Sequence, residues 1–171
     1  MIMLVKETKI HGVFEFLPEP FIDHRGSYVE LFNQEEYVPY CKAPFVQDDM
    51  SISSRHVLRG LHGDADTWKL ITCLHGHIYF VVLDKRENSP TKNIWQSFVL
   101  NEKNYRQVLV PPGCANGHLV MSERAIFHYK QSTYYSKNQF TVRWNDPQHG
   151  IWWPISSPIL SRRDEVGYYV D

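Results

Sequence analysis

The sequence is short of cysteine, of glycine-rich phosphate loops, of long apolar runs and of net charge, and each shortage removes a class of protein. Cys41, Cys73 and Cys114 are the only cysteines among 171 residues. An odd set without paired spacing supports neither a disulfide framework nor a zinc site, and it fits a reducing compartment. No stretch approaches the roughly 18 apolar residues of a membrane span. Lys6 and Glu7 interrupt the start before any signal-length apolar run develops. With 18 Lys+Arg against 19 Asp+Glu the formal net charge is -1, so there is no net basic face for nucleic acid or a membrane surface. The lack of a glycine-rich phosphate loop argues against ATP-hydrolysing and dinucleotide-binding designs. Internal repeats, low-complexity tracts and Ser/Gly linkers are absent too. What remains is a cytoplasmic single domain over residues 1–171, because a chain of roughly 150 residues already buries about 68–70% of its unfolded surface.

Aromatic residues are plentiful: ten Tyr, nine Phe and five Trp make 14% of the chain. Such rings suit pleated, half-buried strands and stack on flat ligands. Turn signals recur along the whole length, among them Arg25-Gly26, Arg59-Gly60, His75-Gly76, Asn88-Ser89-Pro90, Pro112-Gly113 and His149-Gly150. Between them lie short β-branched and aromatic runs: Ile78 to Leu83, Trp95 to Leu100, Gln107 to Val110 and Ala125 to Tyr129. This pattern predicts an all-β sandwich or barrel. Only Glu35 to Val38 and the acidic stretch near Asp164 fit a turn or two of helix.

Strand alternation orients individual side chains. Ala125, Phe127 and Tyr129 share one face, and Ile126, His128 and Lys130 the other. Lys69 shares a face with Ile71 and Cys73, where a cation needs a partner or a ligand; a snorkelling lysine at a strand end is the plainer reading.

The densest polar constellation is Arg59-Gly60-Leu61-His62-Gly63-Asp64, with Lys69 close behind. A histidine near neutral pH is the usual general base, and a carboxylate that fixes its tautomer strengthens it. Asp23-His24-Arg25-Gly26 and Gln47-Asp48-Asp49 concentrate further hydrogen-bonding groups. Arginines in fixed turns suit bidentate phosphate recognition, although loop-bracing salt bridges account for them equally well. His75-Gly76-His77 has the spacing of a metal site in a β-barrel. It sits on a turn with no nearby carboxylate after it, so surface histidines are the reading and no metal is expected.

A series of short motifs then occurs in order: Arg25-Gly26 with Glu30, Phe45-Val46-Gln47-Asp48, Val57 to His62, Ser89-Pro90-Thr91, Pro112-Gly113, Tyr129-Lys130 with Tyr134-Tyr135, Trp144-Asn145-Asp146, Trp153-Pro154, and Leu160-Ser161 with Asp164. From about residue 10 to 165 the chain resembles the dTDP-4-dehydrorhamnose 3,5-epimerase family of nucleotide-sugar epimerases. The resemblance implies a cupin-like double-stranded β-helix, a jelly-roll barrel with short helical turns, that forms a homodimer and works without metal or organic cofactor. It implies His62 as the general base held by Asp164, Tyr129 as the acid on the opposite face of the sugar, and Lys69 as the partner of the enolate oxygen. Arg25, Glu30, Gln47 and Arg59 would hold the nucleoside diphosphate and sugar, with Asp48, Asp49, Asn116, Tyr135, Gln139 and Arg163 also among the substrate-binding residues.

Against the family pattern, the segment after His62 is the short Gly63-Asp64-Ala65-Asp66-Thr67-Trp68. Asn116 stands for a substrate-contacting histidine, Asp49 where Asn is common, and Gln139 near a common Glu. The Gly-Asp pair and Asn116 resemble a branch acting on GDP-linked 4-keto-6-deoxy-heptoses, some members of which act at carbon 3 alone. The expected partner is therefore a nucleoside diphosphate 4-keto sugar, dTDP- or GDP-linked, with inversion at carbon 3, carbon 5 or both. A non-catalytic sugar-nucleotide barrel, a metal-dependent cupin and a 3,4-ketoisomerase are the competing readings.

Overall fold

Six consecutive residues, Ile78 to Leu83, offer no polar side to water, so a strand that carries them must be covered on both faces. The computed structural model describes residues 3–168; Met1, Ile2 and Tyr169 to Asp171 of the expected domain lie outside the described residues. In it the run forms β8 (His77–Asp84). Ile78, Phe80 and Val82 point into the core between two sheets. Tyr79, Val81 and Leu83 point outwards, into a second cluster closed by Trp153 and the C-terminal segment.

One sheet has the order β1 (Met3–Glu7), β2 (Phe14–Pro18), β10 (Gln107–Val110), β7 (Lys69–His75), β12 (Arg124–Gln131), β5 (Gln47–Ser54). The other runs β13 (Phe140–Thr141), β6 (Leu58–Gly63), β11 (Cys114–Val120), β8, β9 (Trp95–Asn101). Every pairing within them is antiparallel. The sheets face each other as the two halves of a cupin-like jelly roll and stay open at their edges. A separate hairpin, β3 (Phe21–Asp23) and β4 (Gly26–Tyr28), lies outside both. Helix α1 (Gln34–Tyr37) and helix α2 (Arg162–Val166) are the only helices among the described residues, at the two places expected. Helix α1 and the residues after it cover Phe16, Leu70 and Leu109 on the outer face of the six-stranded sheet. No described helix is long and apolar enough to cross a membrane. All three cysteines are free and buried.

The Ser89-Pro90-Thr91 motif is structural. Asp84, fully buried at the end of β8, accepts from Arg86 Nε at 2.9 Å and Nη2 at 2.7 Å, and from the hydroxyl of Thr91 at 2.7 Å. Ser89 completes the shell at 2.5 Å. Burial pushes the carboxyl up, but Arg86, Ser89 and Thr91 outweigh it and hold Asp84 well below the usual carboxylate range. Removing one partner of such a pair strands the other in a poorly solvated place. Asp84→Ala should therefore cost about 3 kcal/mol, which for a domain of this size lowers Tm by roughly 6–12 °C. A melt unchanged within 2 °C (well under that estimate) would refute the assignment.

Candidate active site

Strand β6 approaches β11 at a place where neither chain has room for a side chain. Gly60 has φ +125°, and a Cβ there would meet the Gly117 Cα at 2.5 Å. Beyond this contact the register sets His62 opposite Asn116, whose Nδ2 donates to the His62 carbonyl at 3.1 Å. The His62 Nε2 lies 2.6 Å from Asp164 Oδ1. Helix α2 delivers that carboxylate: Ser161 caps the helix by accepting the Asp164 amide at 3.2 Å, and the Asp164 side chain is only 3% exposed. Burial pushes the Asp164 carboxyl up, yet its bond to His62, the Ser161 hydroxyl and the Gly60 amide together keep it below the ordinary range. A charged acceptor at Nε2 places the ring proton there and leaves Nδ1 with the lone pair a base needs.

The opposite sheet brings the complementary groups. Tyr129 of β12 pairs in register with Asp49 of β5 and with Ile71 of β7, and its ring packs against the inter-sheet core. Burial first, and then the Asp49 carboxylate, pushes the phenol up to about 12. It is a protonated donor at any physiological pH. Lys69, at the start of β7, is 8% exposed, with its Nζ 3.4 Å from Asp64 Oδ2. Burial pulls its ammonium down, Asp64 pushes back, and Arg163 adds to the depression, so the net shift is downward.

His62, Asp164, Tyr129 and Lys69 line one cavity of 360 Å³, and Arg59, Asn116, Tyr135, Gln139 and Arg163 share its wall. Arg59 is braced by Ser53 Oγ at 3.0 Å. Arg163 donates to Thr141 Oγ1 at 2.9 Å and Gln139 Oε1 at 3.3 Å. A wider groove of 870 Å³, walled by Trp144, Pro147, Trp152 and Pro154, shares no residue with this cavity.

Five expected substrate contacts sit elsewhere. Gln47 and Asp49 stand behind the wall: Gln47 accepts the Tyr135 amide at 2.8 Å, and Asp49 Oδ2 accepts from Gln47 at 2.8 Å and Gln131 at 2.7 Å. They frame Tyr129 and Tyr135 rather than line the cavity. Asp48 faces the opposite way, gripping Lys130 Nζ at 2.8 and 2.9 Å on the outside of the sheet. Arg25 is exposed on the β3–β4 hairpin and pairs with Asp23 at 2.5 Å; Glu30, just after it, is exposed as well. Within one chain neither reaches the cavity, because the hairpin belongs to neither sheet.

Sequence reading missed Ser51 and His118, which also line the cavity. Period-two alternation from Gln47 and from Asn116 would have found both. His118 is 3% exposed and stacks on Phe127 with ring centroids 4.0 Å apart. Burial, with Arg59 and His62 nearby, pulls it down to about 3, so it stays neutral. Among the described residues no cluster of His, Cys, Asp and Glu has metal-holding geometry; His75 of the His-Gly-His turn pairs with Glu102 at 2.6 Å on the surface.

Comparison with known proteins agrees with this geometry. The family profile described as dTDP-4-dehydrorhamnose 3,5-epimerase matches residues 7–170. The dTDP-4-dehydrorhamnose 3,5-epimerase of Shigella flexneri is 39% identical, over 96% of this chain and 94% of that protein. A dTDP-4-dehydrorhamnose 3-epimerase of Streptomyces niveus is 32% identical, over 95% of this chain and 82% of its own. The crystal structure of the dTDP-6-deoxy-D-glucose-3,5-epimerase of Legionella pneumophila in complex with dTDP-4-keto-L-rhamnose superposes with a TM-score of 0.93 at 34% identity, covering 98% of this chain and 92% of that one. With a matching profile over nearly its whole length, the chain belongs to the dTDP-4-dehydrorhamnose 3,5-epimerase family, an isomerase-class family of nucleotide-sugar epimerases.

Proposed function

We propose that the protein epimerises carbon 3, carbon 5 or both in a 4-keto-6-deoxy sugar carried on a nucleoside diphosphate, within deoxysugar biosynthesis for a surface polysaccharide or glycosylated product. One observation carries this reading: base and acid come from facing sheets. His62 and Asp164 stand on the β6 side of the cavity, and Tyr129 stands on β12 in the other sheet.

A ketone at carbon 4 acidifies the hydrogens on carbons 3 and 5, because the carbanion left by deprotonation delocalises onto the carbonyl oxygen. His62 takes the proton from one face of the ring. The Lys69 ammonium meets the enolate oxygen, an electrostatic contribution of about 3–4 kcal/mol for one preorganised donor. Tyr129 returns a proton from the other face, and the centre inverts. Arg59, Asn116, Gln139 and Arg163 hold the sugar and diphosphate.

The chain acts as a homodimer in this reading. The β3–β4 hairpin exposes Phe21 at 61%, Ile22 at 71% and Tyr28 at 67%, more apolar surface than a free hairpin normally offers to water. A second copy that covers it gives Arg25 and Glu30 a route to a cavity their own chain does not offer. The ligand of the Legionella relative favours a dTDP sugar. The Gly63-Asp64 pair and Asn116 keep a GDP-linked sugar as the second substrate to assay.

The test is solvent exchange in deuterated water with dTDP- and GDP-linked 4-keto-6-deoxy sugars. Deuterium should appear at carbon 3, and at carbon 5 where both centres invert. Binding of a nucleotide sugar without exchange at either carbon would instead mark a non-catalytic barrel and sink the proposal.

A further inference from the structure

The loop after β6 contains a buried carboxylate that the reaction itself does not use. Asp64 is 8% exposed, and its two oxygens have separate tasks. Oδ1 accepts the amides of Thr67 at 2.7 Å and Asp66 at 3.1 Å, closing the loop on itself. Oδ2 is left to face Lys69 Nζ at 3.4 Å. The loop is fastened on both sides. The Asp64 carbonyl accepts the Gly113 amide at 2.7 Å, and the Trp68 amide donates to Ser132 Oγ at 2.9 Å. Thr67 and Thr133 join through their hydroxyls at 2.6 Å. Asp64 therefore has little freedom, whereas a lysine has four rotatable bonds and a mobile charge.

We propose that Asp64 is the positioning residue for Lys69, a carboxylate behind the cavity wall that fixes the Lys69 ammonium where the enolate oxygen forms. The inference rests on the proton-transfer reading of the cavity. A lysine this deeply buried tends to shed its proton. The charges that bear on it are Asp64 from the loop, which favours the ammonium, and Arg163 from α2, which opposes it. His62 and Asp164 stand on the wall carried by β6 and α2. On the Lys69 side Tyr129 projects from β12, with Asp49 of β5 behind it. Asp64 is thus the carboxylate in contact with Lys69, and without it burial and Arg163 would act on the ammonium unopposed.

The test is the pH profile of deuterium wash-in at carbon 3 for wild type, Asp64→Asn and Asp64→Asn with Lys69→Arg. Asparagine keeps an oxygen for the Thr67 and Asp66 amides and removes both the charge and the acceptor that face Lys69. Its alkaline limb should move down by about one pH unit or more. The loss should grow from a few-fold near pH 6 to about 10–100-fold near pH 9, the reach of one preorganised donor. Arginine does not deprotonate in this range, so in the double variant the added alkaline loss should vanish. Asp64→Ser, whose hydroxyl can still accept the Thr67 amide, gives the same reading should Asp64→Asn not fold. An alkaline limb that coincides with wild type, or a loss equal at every pH, overturns the proposal. Those outcomes leave the epimerase reading standing, because the wild-type protein still exchanges; no exchange by wild type on either nucleotide sugar overturns both.

Discussion

His62→Asn should lose deuterium incorporation at carbon 3 by about 10⁴-fold, the upper end of what a positioned general base contributes. Expressed as a barrier this is about 5 kcal/mol. The substitution isolates basicity. The asparagine side chain has an N–H that can donate to Asp164 Oδ1, now 2.6 Å from the imidazole, so the buried carboxylate keeps a partner. What disappears is the nitrogen lone pair. The rest of the cavity should be undisturbed, because Arg59 and Arg163 are braced by Ser53, Thr141 and Gln139 rather than by His62. Nucleotide affinity measured by calorimetry should therefore stay within a few-fold of wild type, and the melting temperature within a few degrees. A His62→Asn protein that exchanges at the wild-type rate would mean another group is the base. A protein that neither exchanges nor binds would mean the histidine is structural. The carboxylate behind it does not titrate into the assay range, because Asp164 is held below the ordinary value. The His62–Asp164 pair contributes stability above the unfolded carboxylate pKa and loses it as pH falls through the lower folded value. A loss of activity above the ordinary carboxylate range therefore does not report Asp164.

Local pattern carried much of the architecture. The apolar run of β8, the alternation of β12 and the two short helical stretches are decided by neighbours in the chain, and they were legible. Alternation also turned Tyr129 inwards, whereas for Lys69 it left a snorkelling strand-end lysine as the plainer reading, and the structure buries that side chain instead. The same rule, applied harder, excludes Asp48: if Gln47 and Asp49 face inwards, the residue between them cannot, and it binds Lys130 outside. It also selects Ser51 and His118. Contacts across the fold are different. His62 and Asp164 are 102 residues apart, and no periodicity joins them; only the family resemblance did. Arg25 shows the opposite limit. A motif can match while the residue's place depends on packing beyond its own sheet: the hairpin that carries Arg25 lines a separate groove and none of the His62 cavity. Asp64 was visible as a departure from the family pattern, but its contact with Lys69 required the loop geometry.

Tyr129→Phe should separate two events that wild type couples. Removal of a proton by His62 and its return by His62 on the same face wash deuterium in without inverting the centre. Inversion needs a donor on the other face, and Tyr129 is the hydroxyl that β12 supplies there. Phenylalanine keeps the ring that packs against Phe127 at 5.5 Å and touches the core between the sheets. It removes the oxygen alone, so the fold and the position of Lys69, two residues from Tyr129's β7 partner Ile71, should hold. Inversion should fall by about 10²–10³-fold, within the range for a general acid, while wash-in at carbon 3 stays within about tenfold of wild type, as expected where proton removal is untouched. Nuclear magnetic resonance on one reaction mixture reads both quantities, deuterium content and configuration. Equal losses in the two would make Tyr129 a binding residue. No loss in either would make another group, or water, the acid. The pH dependence separates the roles again. With the phenol pushed up to about 12 by burial and by Asp49, Tyr129 stays protonated across the assay range and contributes no alkaline limb below about pH 11. Any limb at lower pH that persists in Tyr129→Phe therefore reports Lys69. The Tyr129→Phe profile should retain it, shifted little from wild type, while its amplitude in inversion is nearly gone.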